Sequence, residues 1–309
     1  MSLLGHFRGV RLRKGVIHFG QTNTDIRIDR AFLNSAFAIA KINSVITWRR
    51  ITRGRTNGTI AFAPNMPGPW YNARFTAHLA GLKITKNVSE ADCVFVFDDK
   101  TVSAGGKDYG NVPSINASIS DISKSHVGRV FQDVFGYSVD IDPLTYEGEA
   151  VQKSDNNATH DGQIVVCPLG EDEIVAGCVY QKLIDGRLSG ERSEEMRIAF
   201  VGGEIPVISY KYKDMDKRFT TSYARVDLKS ASDVLSAAEI ETLVTFCTVM
   251  GLDFGAIDVL RDKNDGRIYV VDVNKTCMPV LTLPIAEQMV SLNKIAASFL
   301  RLIQRLKSA

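Results

Sequence analysis

The sequence contains few cysteines and no long apolar run, and both absences restrict what the protein can be. Its five cysteines form no Cys-x-x-Cys pair, so they are interpreted as small buried residues of a protein in a reducing compartment, and no zinc site is predicted. No segment approaches the roughly 20 uninterrupted apolar residues of a membrane span. The N-terminus also lacks the apolar core of a signal peptide. A cytoplasmic protein without a transmembrane segment is therefore expected.

Basic residues interleaved with aromatic ones, the pattern typical of nucleic-acid binding, are also absent, so no nucleic-acid partner is expected. The chain of 309 residues is 45% hydrophobic and 23% charged, as in globular proteins of two or three lobes. Its net charge of +2 is uneven, because residues 1–55 carry eleven Lys and Arg against two Asp, a charge of +9 that leaves −7 for the rest. A solvated face, contact with an acidic surface of the same chain or of a homodimer partner, and an anionic membrane are the alternatives.

One stretch near the C-terminus has the pattern of a β-hairpin. Two β-rich segments, residues 254–260 and 267–273, flank a turn-forming cluster that ends at Gly266. If the loop has three residues, with Gly266 in the left-handed conformation, Lys263 pairs with Arg267. This register is the expectation for the hairpin.

The same register places two carboxylates opposite each other, those of Asp258 and Asp272. Because side chains alternate along a strand, Asn274 lies on the same face as Asp272. Hard oxygen ligands of this kind suit Mg²⁺, which is usually completed by water and nucleotide phosphates. The alternative is a half-exposed hairpin whose acids face water, but the acids lie among apolar residues, where unpaired charge is costly.

The acid-bearing strand, the turn and the second strand ending in Asp-x-Asn resemble the metal-binding end of the ATP-grasp superfamily, which includes glutathione synthetase and D-alanine:D-alanine ligase. This resemblance implies an α/β (α+β) protein with the ATP-grasp fold, in which two lobes clamp ATP, with an N-terminal α/β lobe. It also implies ATP and two Mg²⁺ ions as cofactors, with Mn²⁺ able to substitute.

The resemblance divides the chain into three parts. Residues 1–58 are a basic N-terminal segment with a helix, expected over residues 26–45, and residues 59–112 are a small α/β lobe. Residues 113–309 form the ATP-grasp domain, with a hinge near residues 181–185.

Two lysines match the positions at which the superfamily contacts ATP. Lys124 opens a segment with helical periodicity, capped by Ser123 or Ser125 and ended by Gly136. Lys153 ends a strand that precedes a small, polar loop, which has no glycine before Gly162, unlike the glycine-rich loops of other relatives. The resemblance implies that both lysines bind phosphates.

The hinge is expected after an apolar strand, at the run Gln181-Lys182-Leu183, where the superfamily reads the adenine edge. This sequence has Gln where many members have Glu. Asp185 is a candidate for the ribose hydroxyls because of its proximity alone.

The catalytic candidate is Arg197, in a Glu-x-Arg run on a hairpin turned by two glycines. The run resembles the strand that aims an arginine at the transferred phosphate, where a guanidinium stabilises developing charge. The alternative is a strand arginine paired with Glu194 or Glu195. Arg218, in a basic polar loop, and Lys211 are the candidates for substrate binding.

Together these matches imply an ATP-dependent ligase that activates a small carboxylate as an acyl phosphate and joins it to an amine. Two other functions stay open: an ATP-grasp kinase that phosphorylates a hydroxyl, and a noncatalytic nucleotide-binding scaffold.

Overall fold

The computed structural model describes residues 10–13, 16–19, 24–27, 29–53, 56–104, 109–159, 161–220 and 222–308. It is a mixed α/β structure, as expected from the sequence, and the described strands form four sheets. None of the described helices combines the length and the apolar character needed to cross a bilayer.

A three-stranded antiparallel sheet and a long helix come first along the chain. The elements are β1 (Val10–Arg13), β2 (Val16–Phe19), β3 (Thr24–Arg27) and α1 (Arg30–Arg53). The predicted helix over residues 26–45 is therefore wrong at its start, because residues 24–27 pair as a strand. The helix also continues beyond its predicted end.

The second sheet is parallel, with the strand order β5-β4-β6-β7. Its elements, with the helix that follows the first strand, are β4 (Thr59–Pro64), α2 (Asn72–Leu79), β5 (Lys83–Thr85), β6 (Cys93–Phe97) and β7 (Ser114–Ile115). The C-terminal helix α5 (Ile285–Ser308) packs on α2 and shares one hydrophobic core with this sheet and with α1. The chain's end therefore packs on the lobe formed by residues 59–115.

A third, antiparallel sheet follows helix α3 (Lys124–Phe135) and has the order β10-β8-β9. Its strands are β8 (Gly148–Ser154), β9 (Gln163–Cys167) and β10 (Cys178–Lys182). The predicted ends of α3 are confirmed: the Ser123 hydroxyl accepts a hydrogen bond from the His126 amide, and Gly136 closes the helix in the left-handed conformation. Of the two predicted caps, Ser123 is the one used.

The largest sheet has five antiparallel strands in the order β13-β12-β11-β14-β15. Its strands and the helix among them are β11 (Ser193–Val201), β12 (Ile208–Lys213), β13 (Arg225–Lys229), α4 (Ala237–Val249), β14 (Phe254–Arg261) and β15 (Ile268–Asn274). One face of this sheet is apolar and packs on α3 and α4, forming the second hydrophobic core. The other face carries charged side chains.

The β14–β15 hairpin confirms the pairing of Asp258 with Asp272 but not the predicted loop. Arg261 pairs with Ile268, so the connection is longer than three residues, although Gly266 is left-handed as expected (φ 71°). A bulge at Val271 shifts the register by one residue and brings the two aspartates opposite each other. A local irregularity thus offsets the difference in loop length.

Candidate active site

Three charged side chains lie in one row across the five-stranded sheet. Arg197 on β11 is paired with Asp258 on β14, which is paired in turn with Asp272 on β15. The Arg197 Nη1 atom lies 2.7 Å from Asp258 Oδ2. Burial acts to lower the pKa of Arg197, but Asp258 and other neighbours more than offset it, so the pKa is raised and the guanidinium stays charged. Arg197 therefore pairs with Asp258, and not with Glu194 or Glu195 as the alternative prediction had it.

Glu195 is instead held by two lysines of the neighbouring strand β12. Its carboxylate oxygens lie 2.6 Å from Lys211 Nζ and 2.8 Å from Lys213 Nζ. Lys211, whose side chain is 2% exposed, also approaches Asp258 Oδ1 at 3.5 Å. Burial acts to raise the pKa of Glu195, but the two lysines outweigh it and hold the pKa at about 2. Lys211 therefore connects the Arg197–Asp258 pair to a second ionic cluster.

Asp272 is a half-buried acid, one of whose carboxylate oxygens is buried and not matched by a partner. Its Oδ1 atom is buried without a hydrogen-bond partner, whereas Oδ2 accepts a hydrogen bond of 3.1 Å from Asn274 Nδ2. Burial, and then the Asp258 charge, raise the pKa of Asp272. Among the described residues no group of three or more His, Cys, Asp or Glu could hold a metal ion. The set here is instead two acids and one amide, and a bound cation would satisfy the unpartnered oxygen.

Two lysines from other elements act on the charge of Asp272. Lys153 belongs to β8, and Lys124 is the first residue of α3. Lys153 Nζ donates to the Val271 carbonyl at 3.1 Å, at the bulge of the hairpin. Lys124 Nζ donates to the Asn156 carbonyl. Burial lowers the pKa of Lys153 to about 8, against the opposing charge of Asp272. The two predicted phosphate-binding lysines and the predicted metal ligands therefore lie together.

The polar loop after β8 is fastened to its surroundings by short side chains. Asp155 accepts hydrogen bonds from the Ser125 amide at 2.8 Å and from the Ser125 hydroxyl at 3.0 Å, at the N-terminus of α3. Asn157 donates to the Val273 carbonyl at 3.4 Å. The loop thus bridges α3 and β15 beside the lysines.

The predicted hinge residues lie along β10 and after it. Gln181 is buried and donates to Asp140 Oδ1 at 2.8 Å. Lys182 Nζ lies 2.7 Å from Asp262 and 2.8 Å from Asp265, at the turn end of the β14–β15 hairpin. Lys182 therefore ties the hinge strand to the hairpin, and its role toward ATP stays a prediction.

The residues after β10 have local partners. Both carboxylate oxygens of Asp185 accept hydrogen bonds of 2.7 Å from Arg187, and these bonds hold the pKa of Asp185 at about 2. Arg218 donates to the Ile184 carbonyl at 3.0 Å, so it lies beside the hinge near Leu183. It is not among the partners of Arg197 or Asp258.

Several residues of the site were not found from the sequence. Asp140, which fixes Gln181, and Asp262, which is fully buried beside Lys182, are both distant in sequence from their partners. Lys275, which follows the Asp-x-Asn run, is buried and donates to Ser103 Oγ at 2.6 Å. No spacing pattern links such pairs, so only the fold reveals them.

Comparison with known proteins rests on structure, since no protein-family model matches the sequence and no curated protein is similar to it in sequence. The VanG D-Ala:D-Ser ligase from Enterococcus faecalis is similar to the chain with a TM-score of 0.50 and 11% identity, over 80% of this chain and 100% of that one. The chain has the ATP-grasp fold. The fold predicted from the hairpin is thereby confirmed.

Two other ATP-grasp structures are similar at lower scores and add nothing to the fold assignment. A D-alanine–D-alanine ligase from Bacillus anthracis complexed with ATP gives a TM-score of 0.48 at 12% identity, over 81% of this chain and 99% of that one. The ATP-grasp ligase PsnB complexed with the precursor peptide PsnA2 and AMPPNP gives 0.48 at 10% identity, over 77% and 99%. Within the ATP-grasp fold of this chain, the charged face of the five-stranded sheet is the candidate active site.

Proposed function

We propose that the protein is an ATP- and Mg²⁺-dependent carboxylate–amine ligase that forms an amide through an acyl phosphate. The observation that supports this most is the buried, unpartnered oxygen of Asp272, which lies beside Asp258 with two lysines and Arg197 around the pair. Buried acids and bases with uncompensated atoms are costly to fold and are typical of binding sites. The ATP-grasp fold, shared with a D-Ala:D-Ser ligase, agrees with the proposal.

The metal would be held by Asp258, Asp272 and Asn274. Asn274 Nδ2 lies 3.3 Å from Asp258 Oδ2 and 3.1 Å from Asp272 Oδ2. A rotation of the amide group by about 180° would place Asn274 Oδ1 there instead, beside both carboxylates. When bound, Mg²⁺ supplies charge that offsets the phosphate oxygens and the leaving group.

The phosphates of ATP would be contacted by Lys124 and Lys153, which already lie on the metal side of the hairpin. The adenine would lie by residues 181–185. Arg218, beside that segment, is a candidate for the nucleotide as well as for the substrate.

Arg197 would stabilise the charge that develops when the γ-phosphoryl group is transferred to the substrate carboxylate. Its position is fixed by Asp258, and a preorganised guanidinium acts without reorganisation at the moment of reaction. In the second step the amine nitrogen attacks the acyl carbon, the C–N bond forms, and the C–O bond to phosphate breaks. The electron pair of the broken C–O bond leaves with the phosphate, and the nitrogen, whose own pair forms the C–N bond, releases a proton.

The test is trapping with hydroxylamine. The protein is incubated with ATP, Mg²⁺, hydroxylamine and a panel of amino acids, peptides and sugar acids, and both ADP and hydroxamate are measured. A ligase gives ADP and hydroxamate in equal amounts, because each acyl phosphate that forms releases one ADP and is converted by hydroxylamine to one hydroxamate. ADP with a phosphorylated hydroxyl and no hydroxamate would indicate a kinase, whereas ATP binding without any ADP would indicate a scaffold.

A further inference from the structure

The long helix α1 has two apolar faces, and only one of them is covered. On the covered face, Ile42 and Ile46 are buried in the core that α1 shares with the parallel sheet and α5. The other face exposes four large apolar side chains to more than half of their area: Leu33 (57%), Phe37 (63%), Trp48 (68%) and Ile51 (73%). Among the described helices and strands no other exposes more than two, so this face is not an ordinary scatter of surface residues.

The four exposed side chains form one stripe, which we call the α1 stripe. Their separations of four, eleven and three positions are each close to a whole number of helical turns. From Leu33 to Ile51, at about 1.5 Å per residue, the stripe is about 27 Å long. The buried Ile42 lies on the opposite side of the helix, so the stripe faces away from the protein body. A flat surface can therefore contact its whole length.

Positive charge surrounds the α1 stripe. The helix contains five basic residues and no acidic one, and four of the five are exposed: Arg30, Lys41, Arg49 and Arg50. Lys41 Nζ lies over the Phe37 ring, 4.3 Å from its centroid, and Arg49 Nη1 donates to a neutral amide oxygen, Asn293 Oδ1, at 2.9 Å. Burial and then the Arg50 charge lower the pKa of Arg74 on α2. These contacts do not neutralise the charge around the stripe.

A partner for this face must supply both apolar surface and negative charge. A second copy docking symmetrically through the same stripe would place two basic helices against each other, and their like charges would repel. A nucleic acid would match the charge, but its phosphate backbone would not cover Leu33 or Ile51. A bilayer with anionic lipids supplies phosphates for the basic residues and an acyl boundary for the apolar ones. Trp, Phe and Leu flanked by Lys and Arg are typical of helices that lie in such an interface.

We propose that the α1 stripe docks the protein on the surface of a bilayer that contains anionic lipids, with α1 lying in the plane of the interface. Phe37 and Trp48 enter the boundary between headgroups and acyl chains, while Arg30, Lys41 and Arg50 contact lipid phosphates. This inference concerns where the protein works and does not rest on the proposed ligase function.

Sedimentation of the full chain with lipid vesicles tests the docking. One set of vesicles is phosphatidylcholine alone, and in the other about 30% of the lipid is phosphatidylglycerol. The protein should bind the anionic vesicles at least about tenfold more tightly, because each basic residue near the surface adds to the attraction. Binding should weaken as added salt screens the charges.

Fluorescence shows whether the stripe itself meets the lipid. The chain has two tryptophans, so Trp70→Phe leaves Trp48 as the only one. The emission of Trp48 should shift to shorter wavelength when anionic vesicles are added, because its indole leaves water. An unchanged emission with bound protein would place the contact elsewhere and overturn the role of the stripe.

Variants separate the apolar from the charged contribution. Phe37→Ser and Trp48→Ser should each weaken binding to anionic vesicles about tenfold or more, since each removes an aromatic side chain that leaves water on docking. Lys41→Gln should weaken it about fivefold, the loss of one basic residue near the surface. The matched controls are Val249→Ser, an exposed apolar position of α4, and Arg129→Gln, an exposed arginine of α3, and both should bind as the wild type does.

All these positions are exposed, and thermal unfolding checks that each variant folds. The proposal is overturned if the wild type ignores both kinds of vesicle, binds them equally, or binds no more tightly than the three α1 variants. Light scattering without lipid tests the rival occupant. A dimer that Phe37→Ser and Trp48→Ser convert to a monomer would assign the α1 stripe to a second copy instead.

Discussion

Arg197 and Ile198 are neighbours in the chain, but their side chains lie on opposite faces of the five-stranded sheet. Ile198 is fully buried between the sheet and the helices α3 and α4. Arg197 faces Asp258 and the proposed nucleotide site. Because side chains alternate along a strand, one strand serves a hydrophobic core and an active site at once.

The two faces differ in what fixes their side chains. On the apolar face the contacts are non-directional, so stability depends on the volume that is filled. On the charged face each group depends on a particular partner, and Asp272 retains an oxygen with none. Substitutions on the first face should therefore change stability, whereas substitutions on the second should change binding and turnover.

The largest expected effect is that of Arg197→Ala on turnover. Removing a charge-stabilising donor typically lowers kcat about 10²-fold or more, and ATP affinity should fall much less because the effect belongs to the transition state. Steady-state kinetics with the carboxylate found by hydroxylamine trapping measure both. Arg129→Ala, an exposed arginine on α3, is the matched control. Equal losses in affinity and turnover would make Arg197 an ordinary phosphate clamp.

The neighbouring substitution Ile198→Ala should act in the opposite way. Truncating a buried isoleucine costs about 2–5 kcal/mol of stability, while kcat and the KM for ATP of the folded fraction should stay near the wild-type values. Urea unfolding and kinetics below the transition separate the two. Ile164→Ala, at a half-exposed position of β9, should be nearly neutral. A large loss of turnover with unchanged stability would contradict the division between the faces.

Asp272→Asn and Asn274→Ala should weaken Mg²⁺–ATP binding about tenfold or more, since each removes an oxygen ligand or its charge. Asp272→Asn should leave the Tm equal or raise it, because burial already opposes the charged form of this acid. Calorimetry with and without Mg²⁺, and thermal unfolding, are the measurements, with exposed Asp133→Asn as the control. Unchanged nucleotide affinity in both variants would exclude the metal assignment.

Much of this sheet could be predicted from the sequence because its signals are local. The turn residues Gly202-Gly203 lie within six positions of Arg197, and Gly266 lies within six positions of Asp272. The sequence predicts that Asp258 faces Asp272, but with a loop that is too short. The bulge at Val271 compensates for the longer loop and keeps the two aspartates opposite each other. Local patterns thus define strands and faces more reliably than registers.

What the sequence could not provide are partners that meet through tertiary packing. Asn72 and Gln288, for example, belong to helices far apart in the sequence and line one cavity only because α5 packs on α2. The roles of Lys182 and Asp185 toward ATP also stay predictions, since the structure gives both residues ionic partners of their own. The division into residues 1–58, 59–112 and 113–309 and the homodimer likewise stay predictions.

The smallest expected effect concerns protonation of Lys153, at the edge of the charged face. Burial lowers its pKa to about 8, with Asp272, Asp140 and Asp258 opposing this and Lys124 adding to it. A phosphate bound beside it would raise the pKa again, so binding takes up a proton, and affinity should fall as the pH rises above about 8.

At pH 8 about half of the Lys153 side chains are neutral before binding. Calorimetry of Mg²⁺–ATP binding in two buffers of different ionisation enthalpy should therefore show an uptake of about half a proton more for the wild type than for Lys153→Met. Lys83→Met, at an exposed position of β5, should match the wild type. Equal uptake in the wild type and in Lys153→Met would place the phosphates elsewhere on this face.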